Sequence, residues 1–143
     1  GRHHGFPIKA NPAPMGMLIN GWAGSGGDGL PWAFREQLGG PIVGERTLGI
    51  LVGPATGHQL IDGGGITVPD ARLYHNSGKW FDEGVGIKPD IEIWDDPNML
   101  VQGRDPQMEK IVDEVMKLVK TKPHVPTPPP TKQDRTANGL GKN

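Results

Sequence analysis

Apolar positions follow different rhythms in successive parts of the chain. Between Pro14 and Gly21 runs the short block Met15-Gly16-Met17-Leu18-Ile19-Asn20, apolar without alternation and bounded by structure breakers. That is the pattern of a strand buried on both faces. It leads into Gly21-Trp22-Ala23-Gly24-Ser25-Gly26-Gly27-Asp28-Gly29, a glycine-rich turn. Leu30, Ala33, Phe34 and Leu38 then recur at helical spacing, with Asp28 as the expected N-cap, Pro31 in the first turn and Gly39-Gly40 as the stop. Pro41-Ile42-Val43-Gly44-Glu45 reads as the next strand, completing a short βαβ unit.

From Gln59 to Trp94 the rhythm shortens. Gln59 to Asp62, Ile66 to Val68, Ala71 to His75 and Trp80-Phe81 read as brief strands, with Asn76-Ser77-Gly78-Lys79 as a hairpin connection between the last two. Ile91 and Ile93 flank Glu92 as in a half-buried strand. The clearest helix follows: Asp105 caps, Pro106 takes the first position, and Met108, Ile111, Val112, Val115, Met116 and Val119 form an amphipathic stripe expected to pack on the sheet. The prediction is therefore an extended lead-in over residues 1–14, one packed unit over 15–121 and a Pro-rich extended tail over 122–143.

Composition narrows the function. With 23 Gly and 15 Pro in 143 residues the chain borders on low complexity, but 34% hydrophobic residues and four Trp still supply the core of one small α/β domain. Fifteen basic against sixteen acidic residues leave a net charge of −1, which excludes the basic footprint of a nucleic-acid binder. No run nears the roughly 20 apolar residues of a membrane span, and the first residues lack a secretory pattern. With no Cys there is no disulfide, thiolate metal site or cysteine nucleophile.

Ser25 is the leading chemical candidate. It stands in a turn from a buried strand into a helix, among Gly24, Gly26 and Gly27. Small neighbours let the backbone adopt a sharp turn and let a carbonyl approach, while N–H groups at a helix start can hold an oxyanion. The same residues, Gly24 to Gly29, match G-x-G-x-x-G, with Glu45 as a ribose-binding acid. Against that dinucleotide reading, Gly21-Trp22-Ala23 separate strand from fingerprint, and Asp28 would set a carboxylate beside a pyrophosphate. His3, His4, His58, His75 and His124 have neither metal-ligand spacing nor a position that marks a base. Glu83 is by itself a loop acid.

The order of the segments adds what no single segment carries. Leu18 to Asp28, Ile42 to Gly49, Leu60 to Gly64 and Gly84 to Glu92, closed by Gly103 to Lys110, resemble the catalytic end of the tricorn proteases and their relatives in the C-terminal processing peptidase family. The resemblance implies a serine peptidase with Ser25 as nucleophile, the Gly26 N–H in the oxyanion hole, and Glu83 ending a relay that orients a histidine through a second serine. It implies the second half of a ClpP/crotonase-like α/β sandwich, peptide substrates, no metal or cofactor, a homo-oligomer, and a cytoplasmic location, with periplasmic or secreted as the alternative. The processing peptidases use a lysine about 25 residues after the serine. Ile50 stands there, so that variant is excluded. The family's histidine, first half of the catalytic domain and PDZ domain lie upstream of the matching segments, so the chain reads as a C-terminal portion, inactive alone. A non-catalytic binding or assembly module of the same fold is the alternative.

Overall fold

The computed structural model describes residues 11–131. The lead-in before residue 11, with His3 and His4, and the tail from residue 132 lie outside the described residues. The first apolar block forms β1 (Met17–Ile19), the glycine-rich turn runs into α1 (Gly26–Gln37), and the next block forms β2 (Ile42–Gly44). β1 and β2 are parallel, pairing Met17 with Ile42, Leu18 with Val43 and Ile19 with Gly44. The expected βαβ unit is thus present, with α1 as its crossover.

β2 is the central strand. A third parallel strand, β5 (Ile91–Glu92), pairs with its other edge, giving the order β1-β2-β5. Central position explains why Ile42 and Val43 are fully buried. Successive strand residues face opposite sides, so Ile42 and Val43 serve two packing layers. On one side Ile42 and Ile19 join Phe34, Leu51, Phe81 and Ile87, with Met15, Met17 and Trp32 around them. On the other, α3 (Pro106–Thr121) crosses β1 and β2, and the bare backbone of Gly16 leaves room for Ile111 and Val115.

Helix ends follow the sequence in one case and depart from it in the other. At α3, the Asp105 carboxylate accepts the Met108 N–H at 2.8 Å and Pro106 occupies the first helical position. At α1 the N-cap is Ser25, not Asp28, which lies inside the first turn and is completely buried. Because the helix begins earlier than expected, Pro31 falls inside it. The stripe of α3 is also only half used. Ile111 is buried, whereas Met108, Val112, Met116 and Val119 are exposed, because the short three-stranded sheet has nothing to set beneath the outer half of the stripe.

The remaining strands form a separate hairpin. β3 (Pro54–Gln59) pairs antiparallel with β4 (Gly65–Pro69), with His58 opposite Ile66. The strand expected from Gln59 to Asp62 is therefore corrected: Leu60 to Gly64 is the turn, closed by Leu60 N–H to Gly64 C=O at 2.8 Å and by the Asp62 carboxylate accepting the Gly64 N–H at 2.9 Å. The hairpin expected between Ala71 and Phe81 is reduced to one bridge, Tyr74 opposite Trp80. It rests on α1 through Trp32, whose ring lies 5.4 Å from Phe81 and 6.0 Å from His75. A short helix, α2 (Pro97–Leu100), links β5 to α3.

Candidate active site

The turn after β1 is built by local bonds. Ala23 N–H reaches the Asn20 carbonyl at 3.1 Å, Trp22 N–H reaches the Asn20 side chain at 3.1 Å, and Gly21 N–H reaches the Glu45 carboxylate at 3.2 Å. The chain then passes through Ser25 at φ 53° and ψ −109°. Among the described residues Ser25 is the only non-glycine at positive φ, a conformation that costs about 1–3 kcal/mol and persists only where surroundings enforce it. Its carbonyl accepts the N–H groups of Asp28 and Gly29, each at 2.9 Å, which starts α1. Ser25 and Gly26 are exposed. Among the described residues neither the Ser25 hydroxyl nor the Gly26 N–H has a hydrogen-bond partner.

A strap of residues 47–52 runs behind this turn. The Ser25 N–H donates to the Ile50 carbonyl at 3.0 Å, and the Leu48 N–H to the Ala23 carbonyl at 2.8 Å. Asp28 fastens the strap from beneath: its carboxylate accepts the Thr47 hydroxyl, the Gly49 N–H at 2.9 Å and the Ile50 N–H at 2.9 Å. The strap's other edge meets the loop of residues 83–87. Thr47 N–H donates to Ile87 C=O at 3.1 Å, Ile87 N–H to the Thr47 hydroxyl at 2.8 Å, and Gly84 N–H to Gly49 C=O at 2.7 Å. This approach requires glycine at Gly49 and Gly86, which have φ of 81° and 76°. A Cβ on Gly49 would come within 2.4 Å of the Gly86 nitrogen.

Glu83 sits at the start of that loop. Its carboxylate accepts N–H groups of Leu51 and Val52, each at 3.3 Å. Ser25 and Glu83 are thus held on one strap, Ser25 through Ile50 and Glu83 through the next two residues. Glu83 is exposed, so its carboxylate is reachable from outside.

The other candidates separate from this cluster. Glu45 braces the backbone, accepting Gly21 N–H and, at 3.1 Å, Asp95 N–H. With Asp28 buried beneath the glycine turn and Glu45 so engaged, the dinucleotide pattern has no acid free for a ribose. His58 and His124 are exposed. His75 lies against the C-terminal half of α1, its ring 6.0 Å from that of Trp32, with Nε2 2.9 Å from Glu36 and Nδ1 2.8 Å from the Ser77 hydroxyl. Among the described residues no group of His, Asp or Glu has the arrangement of a metal site. A groove of 330 Å³ follows the outer edge of β1, lined by Leu18, Asn20, Ala23, Gly27, Leu30 and Gln107. Sequence reasoning overlooked what Asp28 and Thr47 do. The only available signal was a lone Asp in a glycine-rich turn, which equally describes a cap.

A strand-turn-helix junction with an exposed serine, an unpaired N–H beside it and a carboxylate on the same strap is the kind of site that serine hydrolases use. The model of peptidase family S41 matches residues 4–93, and the chain belongs to that family. It is similar to a putative tricorn protease homolog 2 of Streptomyces coelicolor, 37% identical over 125 residues, covering 87% of this chain and 10% of that protein. It is also similar to the tricorn protease of Thermoplasma volcanium, 31% identical over 111 residues, covering 78% of this chain and 11% of that one. The chain therefore spans about a tenth of the length of these relatives. Among solved structures, the crystal structure of the tricorn protease superposes with a TM-score of 0.66 at 30% identity, over 75% of this chain and 10% of that chain. Mature CPAF shares the fold, with a TM-score of 0.55 at 24% identity over 76% of this chain and 20% of that one. The described part is thus a mixed helix and strand unit of the tricorn protease fold. Among the described residues no helix is long and apolar enough to cross a membrane.

Proposed function

We propose that this chain carries the nucleophile and the terminal acid of a tricorn-type serine peptidase. In this reading the Ser25 hydroxyl attacks the scissile carbonyl of a peptide, a histidine supplied from outside residues 1–143 takes its proton, and the Gly26 N–H donates to the oxyanion. The histidine gives that proton to the leaving amine as the scissile C–N bond breaks, and the ester left on Ser25 is hydrolysed by water activated by the same base, releasing the carboxylate product and restoring the Ser25 hydroxyl. Glu83 supports the imidazolium through an intervening hydroxyl. No step calls for a metal or cofactor. The observation that carries the reading is Ser25 itself: an exposed serine at positive φ at a helix start, beside an unpaired N–H, in a member of family S41.

The reading includes a continuation of the fold. Met17 and Ile19 turn their N–H and C=O groups toward β2, as the bonds Met17 N–H to Pro41 C=O and Glu45 N–H to Ile19 C=O require. Leu18 therefore turns both backbone groups outward, into the groove along β1. Parallel sheets have their edges covered, and an upstream half of a ClpP/crotonase-like sandwich, entering as a further strand, supplies that cover and the base. A homo-oligomer in the cytoplasm is the setting carried over from the tricorn relatives.

The test is covalent labelling of the full-length polypeptide with a fluorophosphonate, followed by peptide mapping. Labelling at Ser25, and loss of labelling and peptide hydrolysis in Ser25→Ala, are expected. Unchanged hydrolysis by Ser25→Ala overturns the reading and leaves a binding or assembly module. The isolated chain should hydrolyse peptides no faster than background, since a serine without its base loses orders of magnitude in rate.

A further inference from the structure

We infer that Asp28 is a positioning residue: through the strap it sets where the Ser25 turn stands relative to Glu83. The inference rests on the serine peptidase reading above. Asp28 is completely buried and has no cationic partner among the described residues, an arrangement that is costly unless its oxygens are hydrogen-bonded. Both oxygens are engaged. One oxygen takes the Thr47 hydroxyl and the Gly49 N–H, and the other takes the Ile50 N–H.

Each of these partners leads to a different part of the site. Ile50 accepts the Ser25 N–H, so Asp28 and Ser25, three residues apart on the same turn, grip the same peptide segment from two points. That double grip holds Ser25 at φ 53° and occupies its N–H, while the Gly26 N–H beside it stays unpaired among the described residues. Gly49 accepts the Gly84 N–H, next to Glu83. Thr47, 2% exposed, donates its hydroxyl proton to Asp28 and accepts the Ile87 N–H, so one hydroxyl joins the helix to the loop that bears the acid. A neutral cap would need one acceptor. Three donors from one strap, reaching both sides of the site, are what registration of two catalytic groups demands.

The chemistry predicts which changes matter. Asn at position 28 keeps the shape but turns an NH2 toward a donor, so one strap bond is lost and one donor is opposed. Val at position 47 keeps the volume and removes the hydroxyl that joins Asp28 to Ile87, while Ser restores it. Displacement of a catalytic group by around 1 Å costs on the order of 100-fold in rate, and it acts on chemistry more than on peptide binding.

The experiment uses the full-length polypeptide with Asp28→Asn, Thr47→Val, Thr47→Ser and Ser25→Ala. Two quantities are read: kcat and KM on a peptide, and the rate of Ser25 labelling by a small fluorophosphonate that makes no peptide contacts. Asp28→Asn and Thr47→Val should lower kcat and labelling together by about 10- to 100-fold with KM within about threefold. Thr47→Ser should return both to near the parent values, and a variant combining Asp28→Asn with Thr47→Val should be less harmful than the product of the single effects. If Asp28→Asn does not fold, the Val and Ser pair at position 47 decides. Folded Thr47→Val with unchanged kcat and labelling overturns the inference, as does a fall in thermal stability without loss of either rate. Activity surviving in Ser25→Ala instead removes the peptidase reading on which it rests.

Discussion

Replacing Gly86 by Ala tests whether the strap and the Glu83 loop are registered by direct backbone contact. Gly86 has φ 76°, and a Cβ there would lie 2.2 Å from the Thr47 carbonyl oxygen and 2.9 Å from its hydroxyl. Two costs add. An L-residue in the left-handed region loses about 1–2 kcal/mol. The Thr47 carbonyl is backbone, and its residue is tied to Asp28 and Ile87, so it cannot rotate aside; forcing it to move is overpacking, worth about 1–3 kcal/mol. The sum, about 2–5 kcal/mol, is a large part of the stability of a small domain. Gly78 is the control: φ is 81°, but a Cβ would meet nothing within 4 Å, so only the first cost applies. Gly26, with neither positive φ nor a neighbour within 4 Å, should tolerate Ala with little change. Urea unfolding followed by tryptophan fluorescence should rank the variants Gly26→Ala, Gly78→Ala, Gly86→Ala in order of increasing loss, with at least about 1 kcal/mol between the last two. Equal midpoints for Gly78→Ala and Gly86→Ala would refute the claim that this contact fixes the site.

Three further outcomes follow from the same bonds. In the full-length polypeptide Glu83→Gln should lower kcat by at least about tenfold with a smaller change in KM, as loss of a transition-state role does; steady-state kinetics check it. Asp105→Ala removes the acceptor of the Met108 N–H and should cost about 1 kcal/mol, read as a lower unfolding midpoint. Glu114 is held at about 2, below the ordinary 4.5, by hydrogen bonds from Lys110 and Lys117, and Arg104 lowers Glu109 in the same sense. A carboxyl depressed in the folded state stabilises above its unfolded value, so this support of α3 is full above about pH 4.5 and fades as pH falls toward 2. Circular dichroism against pH should show a shallower loss of helix through that window in Glu114→Gln.

The parallel sheet and its two covering helices were legible because each is announced at its ends as well as along its length. Pro14 and Gly21 bracket β1, Gly39-Gly40 stop α1, and Asp105-Pro106 start α3. Where the ends were ambiguous the reading slipped. Asp28 looks like a cap because a short carboxylate before an apolar period normally is one, yet the unusual backbone of Ser25 starts the helix earlier and carries Asp28 inside. β3 was misplaced for a different reason. Pro54 to Gln59 contains no alternation of apolar and polar residues, and β4 opposite it is exposed throughout, so this hairpin buries no face that a period of two could record.

The candidate site is marked in the sequence by its parts and not by its assembly. Ser25 among glycines and Glu83 in a glycine loop stand out by residue type. What joins them is a strap whose contacts are made almost wholly by its main chain: Leu48, Gly49, Ile50, Leu51 and Val52 donate or accept through peptide groups. Main-chain bonding is indifferent to side-chain identity, so no periodicity or motif marks it. Its traces in the sequence are indirect: Gly49 and Gly86, where two backbones touch, and Asp28 and Thr47, polar groups placed where nothing apolar could satisfy peptide N–H groups turned inward. A buried Asp and Thr flanked by close-approach glycines are therefore a stronger pointer to the geometry of this site than either catalytic candidate alone, because only they record which segments must meet.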